Sequence, residues 1–313
     1  YRRRARLAVS VTKSGDVRVG FREREAKVVT AMSRCDVLMP PLDQLLAPLA
    51  ALIGSLSIRA QIPQVEAAIG EQVVALVFRT MKPLSGSDER LLREFAQHHD
   101  VDIYIQPQGP ASAYPLTDAR RLHFSISRPE GTVELDFQPT DFIQVNASLN
   151  DQMVANTLEL LDLKGSERVL DLFCGLGNFT LPLAQQAAAV VGVENDAGLI
   201  DRARQNAVNN NLANASFIAD DLFEIADNAV WRGQRFDAVV LDPPRAGAKE
   251  VLPFLPKLGA KKIVYISCHP GTLARDAGTL VSELGYKLVT TGVMDMFPHT
   301  AHVESIALFE QVS

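Results

Sequence analysis

Residues 169–178 read Val-Leu-Asp-Leu-Phe-Cys-Gly-Leu-Gly-Asn, and this stretch decides the fold of the second half of the chain. An apolar segment of strand character leads into a turn with two glycines, and a helical pattern follows. Glycines let the backbone turn tightly and approach a ligand closely. The turn has Gly175 and Gly177 but lacks the third glycine of the dinucleotide-binding fingerprint, so on its own it is a weak signal.

Strands and helices alternate on both sides of this turn. The predicted strands are residues 168–172, 189–193, 215–219, 236–241 and 262–266. The predicted helices are residues 149–163, 179–187 and 197–210. Apolar strands that alternate with helices indicate a parallel sheet covered on both faces. Such sheets bind ligands beyond the C-terminal ends of their strands, so we expect the functional residues there.

The first 140 residues have a different pattern. Short alternating stretches at residues 6–11 and 17–21 are typical of half-buried antiparallel strands. Further strands are predicted at residues 73–78, 101–105 and 122–126, and helices at residues 42–56 and 88–98. We therefore predict an α/β protein with two domains: a smaller α+β domain at residues 1–140, followed by a Rossmann-like domain at residues 141–313.

Composition excludes several classes of protein. Of the 313 residues, 47% are hydrophobic and 22% are charged, as in a folded protein with a sizeable core. No apolar run approaches the roughly 18 residues of a membrane-spanning helix. The start of the chain has no signal-peptide pattern, so we predict a cytoplasmic protein without a membrane partner. Because the chain begins at Tyr1 rather than at a methionine, we expect a fragment of a longer protein.

Charge is unevenly divided along the chain. The net charge is −6, but residues 1–34 carry 10 basic and 3 acidic side chains, or +7. Residues 141–313 carry 13 basic and 21 acidic side chains, or −8. A basic segment joined to an acidic domain is one footprint of a protein that binds a polyanion. A strand edge protected by charge explains the pattern equally well.

Carboxylates follow the other predicted strands. Glu194 ends the strand after the glycine turn, in the position where a carboxylate suits a ribose diol. Asp220 and Asp221 follow the third strand, and Asp242 follows the fourth. Together with the glycine turn, these residues resemble the S-adenosylmethionine-dependent methyltransferases rather than enzymes that use nicotinamide cofactors.

The sequence Asp242-Pro243-Pro244-Arg245 resembles a motif of base-modifying methyltransferases. Enzymes of this kind that methylate exocyclic amines have an aromatic residue after the prolines, where this chain has Arg245. Many cytosine-5 enzymes have a cysteine beside the proline, and this motif has none. Amino methylation is therefore disfavoured, and the nucleophile is expected elsewhere.

Cys268 is the candidate nucleophile. It follows the strand at residues 262–266 and precedes a helix, whose N-terminus can stabilise a thiolate. Carbon 5 of uracil is too weak a nucleophile to attack a sulfonium methyl group, and addition of a thiolate to carbon 6 activates it. A base must later remove the carbon-5 proton. Glu304, at the start of a late strand, is the candidate, with His299 and His302 as the next choices.

The other two cysteines have simpler explanations. Cys174 lies between an apolar strand and the glycine turn, where cysteine usually packs as a small hydrophobic residue. Cys35 has no cysteine or histidine neighbour at ligand spacing. Three cysteines in the chain also make no disulfide framework.

The chain resembles the RNA uracil-5 methyltransferases over nearly its whole length. The motifs that carry the resemblance are Phe142-Ile-Gln-Val-Asn146, residues 171–178, Asp242-Pro-Pro-Arg245, Ser267-Cys268 with Thr272-Leu-Ala-Arg-Asp276, and residues 295–304. Within the family the chain is most similar to the branch that methylates the uridine at position 1939 of bacterial 23S ribosomal RNA.

The resemblance implies a set of site residues. Cys268 would be the nucleophile and Glu304 the base. The residues that would contact S-adenosylmethionine, or lie between it and the base, are Gln144, Phe173, Gly175, Asn178, Glu194, Asp221 and Asp242. Asp221 stands where the family can carry an asparagine. The implied partner is 23S ribosomal RNA, and we expect a monomer.

Two departures from the family pattern concern the N-terminal part. The branch that the chain resembles begins with a small basic RNA-binding barrel of the TRAM type, which is missing here. It also holds a 4Fe–4S cluster on four cysteines, and Cys35 matches the fourth. The other three are missing, so we expect the chain to hold no complete cluster. Residues 1–140 would correspond to the RNA-binding and iron–sulfur-type domain.

Several alternatives stay open. The chain could act on a different 23S uridine or on transfer RNA, although Cys35 argues against the transfer-RNA type. A protein of a different class, an RNA-binding assembly factor without catalysis, would have no need of Cys268, Asp242 and Glu304. A small-molecule methyltransferase would leave the N-terminal domain and its basic segment unexplained.

Overall fold

The computed structural model describes residues 1–23 and 28–312 of the chain. It divides into two units, each with a hydrophobic core of its own. The first unit consists of Tyr1–Phe124 and Phe137–Ala147, and the second of Ser125–Asp136 and Ser148–Ser313.

The first unit is a seven-stranded sheet with two helices. Its strands are β1 (Arg4–Val11), β2 (Val17–Arg22), β3 (Val29–Ala31), β4 (Gln64–Ile69), β5 (Val74–Arg79), β6 (Val101–Gln106) and β7 (Tyr114–Pro115). Its helices are α1 (Leu46–Ser55) and α2 (Gly86–His99). The strand order is β3-β2-β1-β4-β5-β6-β7, and the pairs are antiparallel except β5 with β6, which α2 connects as a crossover.

Apolar side chains at alternate positions of the strands form the core of this unit. Side chains at every second position of a strand point to the same face, and Leu7, Val65 and Ile103 pack against apolar side chains of α1 and α2. The predicted α+β architecture is confirmed, although β3, β4 and β7 were not predicted. Residues 24–27, which belong to the basic N-terminal segment, lie outside the described residues.

Most of the hairpin strands β8 (His123–Arg128) and β9 (Gly131–Asp136) belongs to the second unit, which also contains a second seven-stranded sheet. The strands of that sheet are β10 (Arg168–Leu172), β11 (Ala189–Glu194), β12 (Ala215–Ala219), β13 (Ala238–Leu241), β14 (Lys262–Ser267), β15 (Tyr286–Met294) and β16 (Glu304–Gln311). The helices are α3 (Ala147–Leu161), α4 (Thr180–Ala184), α5 (Ala197–Asn209), α6 (Leu255–Leu258) and α7 (Pro270–Ser282).

This second sheet has the order β12-β11-β10-β13-β14-β16-β15. Strands β10 to β14 are parallel, as predicted, whereas β16 runs antiparallel to β14 and β15 antiparallel to β16. The strand order reverses between β10 and β13, and the crevice at such a switch point is where doubly wound sheets bind ligands. The Rossmann-like fold is confirmed. None of the described helices is long and apolar enough to cross a bilayer.

The division between the units differs from the predicted boundary after residue 140. Residues 125–136 belong to the second unit, where Asn206 of α5 and Asn210, the residue after this helix, accept hydrogen bonds from the backbone of β9, both at 2.9 Å. Residues 137–147 belong to the first unit, where Arg3 and Arg4 donate to backbone carbonyls of this segment at 2.8 and 2.9 Å. These bonds join residues far apart in sequence, so a local pattern does not reveal them.

Candidate active site

The turn after β10 is built from left-handed backbone. Phe173, Gly175 and Gly177 have φ angles of +67°, +54° and +92°. A non-glycine residue such as Phe173 adopts this region uncommonly, and such residues concentrate at functional sites. No described atom lies within 4 Å of the place that a Cβ of Gly175 would occupy. The turn therefore presents open backbone at the switch point, as the sequence predicted.

Asp171, within β10, is a site residue that the sequence analysis did not single out. It is fully buried, and Thr180 Oγ1 donates to its Oδ2 at 2.5 Å. Its Oδ1 has no hydrogen-bond partner among the described residues. Burial, with the charge of Asp242 as a smaller cause, raises the pKa of Asp171 to about 7. A buried acceptor without a donor is rare in a folded protein and is open to a donor from a ligand.

Glu194 lies where it was predicted, at the end of β11 and beside the glycine turn. Its Oε2 accepts a hydrogen bond of 3.3 Å from the backbone N–H of Gly175. Its Oε1 accepts from the backbone N–H groups of Asn195 and Asp196 at 2.8 and 3.1 Å. These bonds orient a half-buried carboxylate against the turn.

Asp221 and Asn178 both have partners within the second unit. Asp221 Oδ1 accepts from the backbone N–H groups of Phe223 and Glu224 at 2.8 and 3.2 Å, so it caps the turn after β12. The side-chain amides of Asn178 and Asn150 exchange two hydrogen bonds of 2.9 and 3.0 Å. The Asn178 amide is therefore held in one orientation at the end of the glycine turn.

Aromatic rings lie beside the turn. The Phe173 and Phe223 rings have centroids 5.7 Å apart, and Phe223 is 40% exposed. A partly exposed aromatic ring is a group on which a planar heterocycle can stack. Phe223 was not singled out from the sequence, since it lies in a loop without a recognisable motif.

The structure places two predicted site residues in the first unit. The backbone carbonyl of Gln144 accepts a hydrogen bond from Arg3 Nε at 2.8 Å. Cys35 is buried in the core of that unit. The residues present do not fit a 4Fe–4S cluster, because four thiolates are needed and the other two cysteines belong to the second unit. Among the described residues there is no group of three or more potential metal ligands.

Asp242 follows β13 directly and is half-buried. Burial raises its pKa to about 7. The residue lies across the switch point from the glycine turn, because β13 pairs with β10 up to Leu241 and Leu172. The carboxylates of Asp171 and Asp242 are close enough for one to raise the pKa of the other.

Cys268 and Glu304 lie at adjoining ends of the neighbouring strands β14 and β16. Ser267 of β14 pairs with Ser305 of β16, so Cys268 follows one paired residue and Glu304 precedes the other on antiparallel strands. Glu304 is 3% exposed, and burial together with the charge of Asp242 raises its pKa to about 8. Cys268 is a free, partly exposed thiol. Glu304 begins β16, as predicted.

Burial and neighbouring charges act on the ionisation of the Cys268 thiol. Burial, followed by the carboxylates of Glu304 and Asp242, raises the pKa of the thiol above its ordinary value. The Arg245 guanidinium lowers this pKa, but by less. The start of α7 is occupied by its own cap, because the backbone N–H of Thr272 donates to the His269 ring at 3.2 Å. In the free protein the balance of these groups favours the protonated thiol.

His302 and His299 are both exposed and lie in the segment before Glu304. His302 Nδ1 is 3.1 Å from Arg245 Nη2. His299 has a φ of +69°, so it occupies a left-handed turn. The contact with Arg245 agrees with a hydrogen-bonded scaffold role for His302.

Taken together, the carboxyl ends of β10, β11 and β13 carry a glycine turn and three carboxylates. The adjoining end of β14 carries a thiol, and the adjacent end of β16 carries a buried carboxyl group. Carboxylates clustered in this way attract a cationic ligand. A thiol beside a carboxyl of raised pKa provides a nucleophile and a proton acceptor within one site.

Comparisons with known proteins agree with this arrangement. A family model described as tRNA (Uracil-5-)-methyltransferase matches residues 130–312. A protein of Xanthomonas campestris pv. campestris named 23S rRNA (uracil(1939)-C(5))-methyltransferase RlmD is 52% identical over 312 residues, which cover 99% of this chain and 70% of that protein. A Stenotrophomonas maltophilia protein of the same name is 51% identical with the same coverage.

Solved structures share the fold. The Pyrococcus abyssi tRNA (uracil-54, C5)-methyltransferase in complex with S-adenosyl-L-homocysteine matches with a TM-score of 0.74 and 24% identity, over 98% of this chain and 75% of that one. The M. jannaschii tRNA m1G37 methyltransferase matches with a TM-score of 0.52 and 10% identity, over 79% and 72% of the two chains. At these identities the likeness establishes the fold alone.

Proposed function

Because the chain belongs to the family of RNA uracil-5 methyltransferases, we propose that it methylates carbon 5 of a uridine in 23S ribosomal RNA. The bacterial relatives are named for uridine 1939, and we propose the same target here. The observation that carries the proposal is the juxtaposition of Cys268 and Glu304 on paired strands. A protein that only binds RNA has no need of a nucleophile and a base in register.

S-Adenosylmethionine supplies an electrophilic methyl group when it is bound. The residues that would hold it are the glycine turn, Glu194, Phe173 and Asp221, with the unpartnered Asp171 Oδ1 as a further acceptor. The fit rests on three features: an open turn, a buried acceptor without a donor, and clustered carboxylates that suit the positive charge of a sulfonium group. Asn178 is a proposed contact on the strength of the family motif.

Cys268 makes carbon 5 of the uracil reactive. Its thiol first gives its proton to solvent, and the thiolate then adds to carbon 6, which places the displaced electron pair on the carbon 5 to oxygen 4 enolate. The Arg245 guanidinium favours the thiolate, since it lowers the pKa of the thiol. The enolate electron pair forms the bond from carbon 5 to the methyl group, S-adenosylhomocysteine would be the leaving group, and the ring is then saturated at carbons 5 and 6.

Glu304 completes the reaction. Its carboxylate accepts the carbon-5 proton, the electrons of that bond re-form the ring double bond, and the bond between carbon 6 and sulfur breaks. Burial raises the pKa of Glu304 to about 8, so its carboxylate is a much stronger base than an exposed glutamate. A pKa near the working pH is the range in which a general base is most effective.

The proposal is tested by transfer of a tritiated methyl group from S-adenosylmethionine to unmodified 23S rRNA and to unmodified tRNA, followed by mapping of the modified nucleotide. Incorporation at uridine 1939 of 23S rRNA is expected. Incorporation at another 23S uridine, or only into tRNA, would change the target but keep the chemistry. No incorporation into either RNA, with RNA binding intact, would favour an assembly factor. With this substrate, we also propose that the protein acts in the cytoplasm.

A further inference from the structure

Asp276 lies in α7 and joins three elements of the second unit. It is 1% exposed. Its Oδ2 accepts from the Tyr265 hydroxyl of β14 at 2.6 Å and from the backbone N–H of Ala248 at 2.8 Å. Its Oδ1 accepts from Arg275 Nε at 2.7 Å. A buried carboxylate with this many donors is well satisfied, so it holds the groups that donate to it in place.

Asp276 and Arg275 also hold the loop between β13 and α6 by hydrogen bonds. Arg275 Nη2 donates to the carbonyl of Ala246 at 2.9 Å, and Ala248 donates to Asp276 from the other side of Gly247. Gly247 has a φ of +85°, and a Cβ at this position would lie 2.4 Å from Arg275 Nη2 and 2.6 Å from Asp276 Oδ2. Only glycine therefore fits between the loop and the cluster.

The segment between β13 and α6 carries two groups of the active site. Asp242 follows β13 directly, so the strand itself holds it. Arg245 lies three residues further on. Before it come Pro243 and Pro244, whose rings fix their φ angles, and after it come residues 246–248, which the Asp276 cluster holds by hydrogen bonds. The position of Arg245 relative to Cys268 therefore depends on the cluster more than the position of Asp242 does.

We propose that Asp276, with Arg275, Tyr265 and Gly247, is a positioning device: it fixes the loop that carries Arg245 and so keeps this cation near the Cys268 thiol. It is not a catalytic residue, because it acts through the loop. This role rests on the proposed function only in naming Cys268 as the nucleophile. The charged groups that act on the thiol are Glu304 of β16, Asp242 after β13, and Arg245. His302 contacts Arg245, and the His269 ring accepts from the backbone of α7 next to Cys268.

The test is the pH dependence of Cys268 alkylation by iodoacetamide, measured by mass spectrometry without RNA or S-adenosylmethionine. Asp276→Asn keeps the shape of the side chain but cannot accept from all of its present donors. Removal of a negative charge would by itself lower the pKa of the thiol or leave it unchanged. Release of Arg245 would instead raise the pKa of the thiol. We therefore expect the pH midpoint of alkylation to rise by about half a pH unit or more.

A double variant, Asp276→Asn with Arg245→Gln, shows whether Asp276 acts on the thiol through Arg245. Arg245→Gln alone should raise the midpoint, because it removes the cation that lowers the pKa of the thiol. Asp276→Asn added to Arg245→Gln should then produce no further rise, since coupled sites are not additive. An unchanged or lowered midpoint in folded Asp276→Asn protein would overturn the proposal, as would a rise that persists in the Arg245→Gln background.

Two milder variants keep the proposal testable if Asp276→Asn does not fold. Tyr265→Phe removes a single donor to Asp276 and should raise the alkylation midpoint by less. Gly247→Ala should lower kcat by about tenfold or more, because small displacements of catalytic groups are costly. Its control is Gly165→Ala, which has a similar φ of +92° but no described atom within 4 Å of the added Cβ. Equal alkylation midpoints in Tyr265→Phe and wild type, or equal kcat values in the two alanine variants, would contradict the proposal.

Because alkylation needs no substrate, this test fails or succeeds independently of the RNA target. Loss of methyl transfer to 23S rRNA with the expected alkylation shift would leave the positioning role intact. Normal methyl transfer by wild type without any alkylation shift in Asp276→Asn would refute the positioning role alone.

Discussion

Glu304 and Cys268 occupy adjoining ends of neighbouring antiparallel strands, one step beyond the paired residues Ser305 and Ser267. The carboxylate of Glu304 raises the pKa of the Cys268 thiol. The two groups therefore disfavour each other's ionised forms, and the site has two protons to lose before both can act. Formation of a thioether on carbon 6 removes the charge of the thiolate, which makes ionisation of Glu304 easier when the base is needed.

Cys268→Ala should abolish covalent trapping on RNA that contains 5-fluorouridine. The wild-type protein should form a complex that survives a denaturing gel, because fluorine cannot leave carbon 5 as a cation. Cys35→Ala is the matched control, since Cys35 is buried in the first unit, and it should trap normally. A complex formed by Cys268→Ala would remove Cys268 from the role of nucleophile.

Glu194→Ala should weaken S-adenosylmethionine binding by about tenfold or more. A hydrogen bond to a charged group contributes roughly 1.5–3 kcal/mol, and 1.4 kcal/mol corresponds to one decade. Isothermal titration calorimetry measures the change. Asp201→Asn serves as the control, because Asp201 is an exposed carboxylate paired with Arg204. If Glu194→Ala binds with unchanged affinity, Glu194 does not contact the ligand.

Activity should rise with pH through the raised pKa of Glu304. A general base acts in its deprotonated form, so kcat/KM should increase between about pH 6 and 8, the pKa being about 8. The Asp242 carboxylate contributes to this shift, so the residual activity of Asp242→Asn should have its midpoint at lower pH. Asp201→Asn should leave the profile unchanged. A flat profile between pH 6 and 8 would show that no group with this pKa limits the reaction.

Glu304→Gln should make the protein more stable at high pH. The folded-state pKa of Glu304 is raised from 4.5 to about 8, so the folded state loses stability as pH rises through this window. Glutamine has no charge to bury and avoids this cost, which is on the order of a few kcal/mol above pH 8. A gain in Tm of several degrees is expected at pH 9 and a smaller one at pH 6. Thermal denaturation of this variant beside the exposed control Glu159→Gln measures it; equal shifts at both pH values would contradict the account.

Much of the second unit was predictable because its parallel strands are short, continuous apolar runs. Strands β10 and β12 begin and end where the sequence indicates. Strand β15 was not predicted, because it lies at the edge of the sheet and its residues 287–293 are exposed on both faces, which leaves no alternation to detect. The boundary between the units escaped prediction because long-range hydrogen bonds of Asn206 and Asn210 decide it.

The positions of the main site residues were also predictable from the strand pattern. Glu194, Asp242, Cys268 and Glu304 each lie at a strand end, so the strand pattern located them. The raised pKa of Cys268 could not be predicted from the sequence, because it depends on carboxylates that are near in space but 26 or more residues away in sequence. The Asp276 cluster also joins distant segments, and its motif alone indicated no role.

The central claim, that Cys268 adds to the uracil and Glu304 later removes the carbon-5 proton, is tested most directly by mass spectrometry of Glu304→Gln protein after incubation with unmodified RNA and S-adenosylmethionine. Thiolate addition and methylation need no base at carbon 5, whereas release does. The account predicts a covalent protein–RNA adduct that already carries the methyl group, on ordinary uridine, and no adduct when Cys268→Ala is added. Normal turnover without an adduct would contradict it and would place the base elsewhere, with His299 and His302 the next residues to examine.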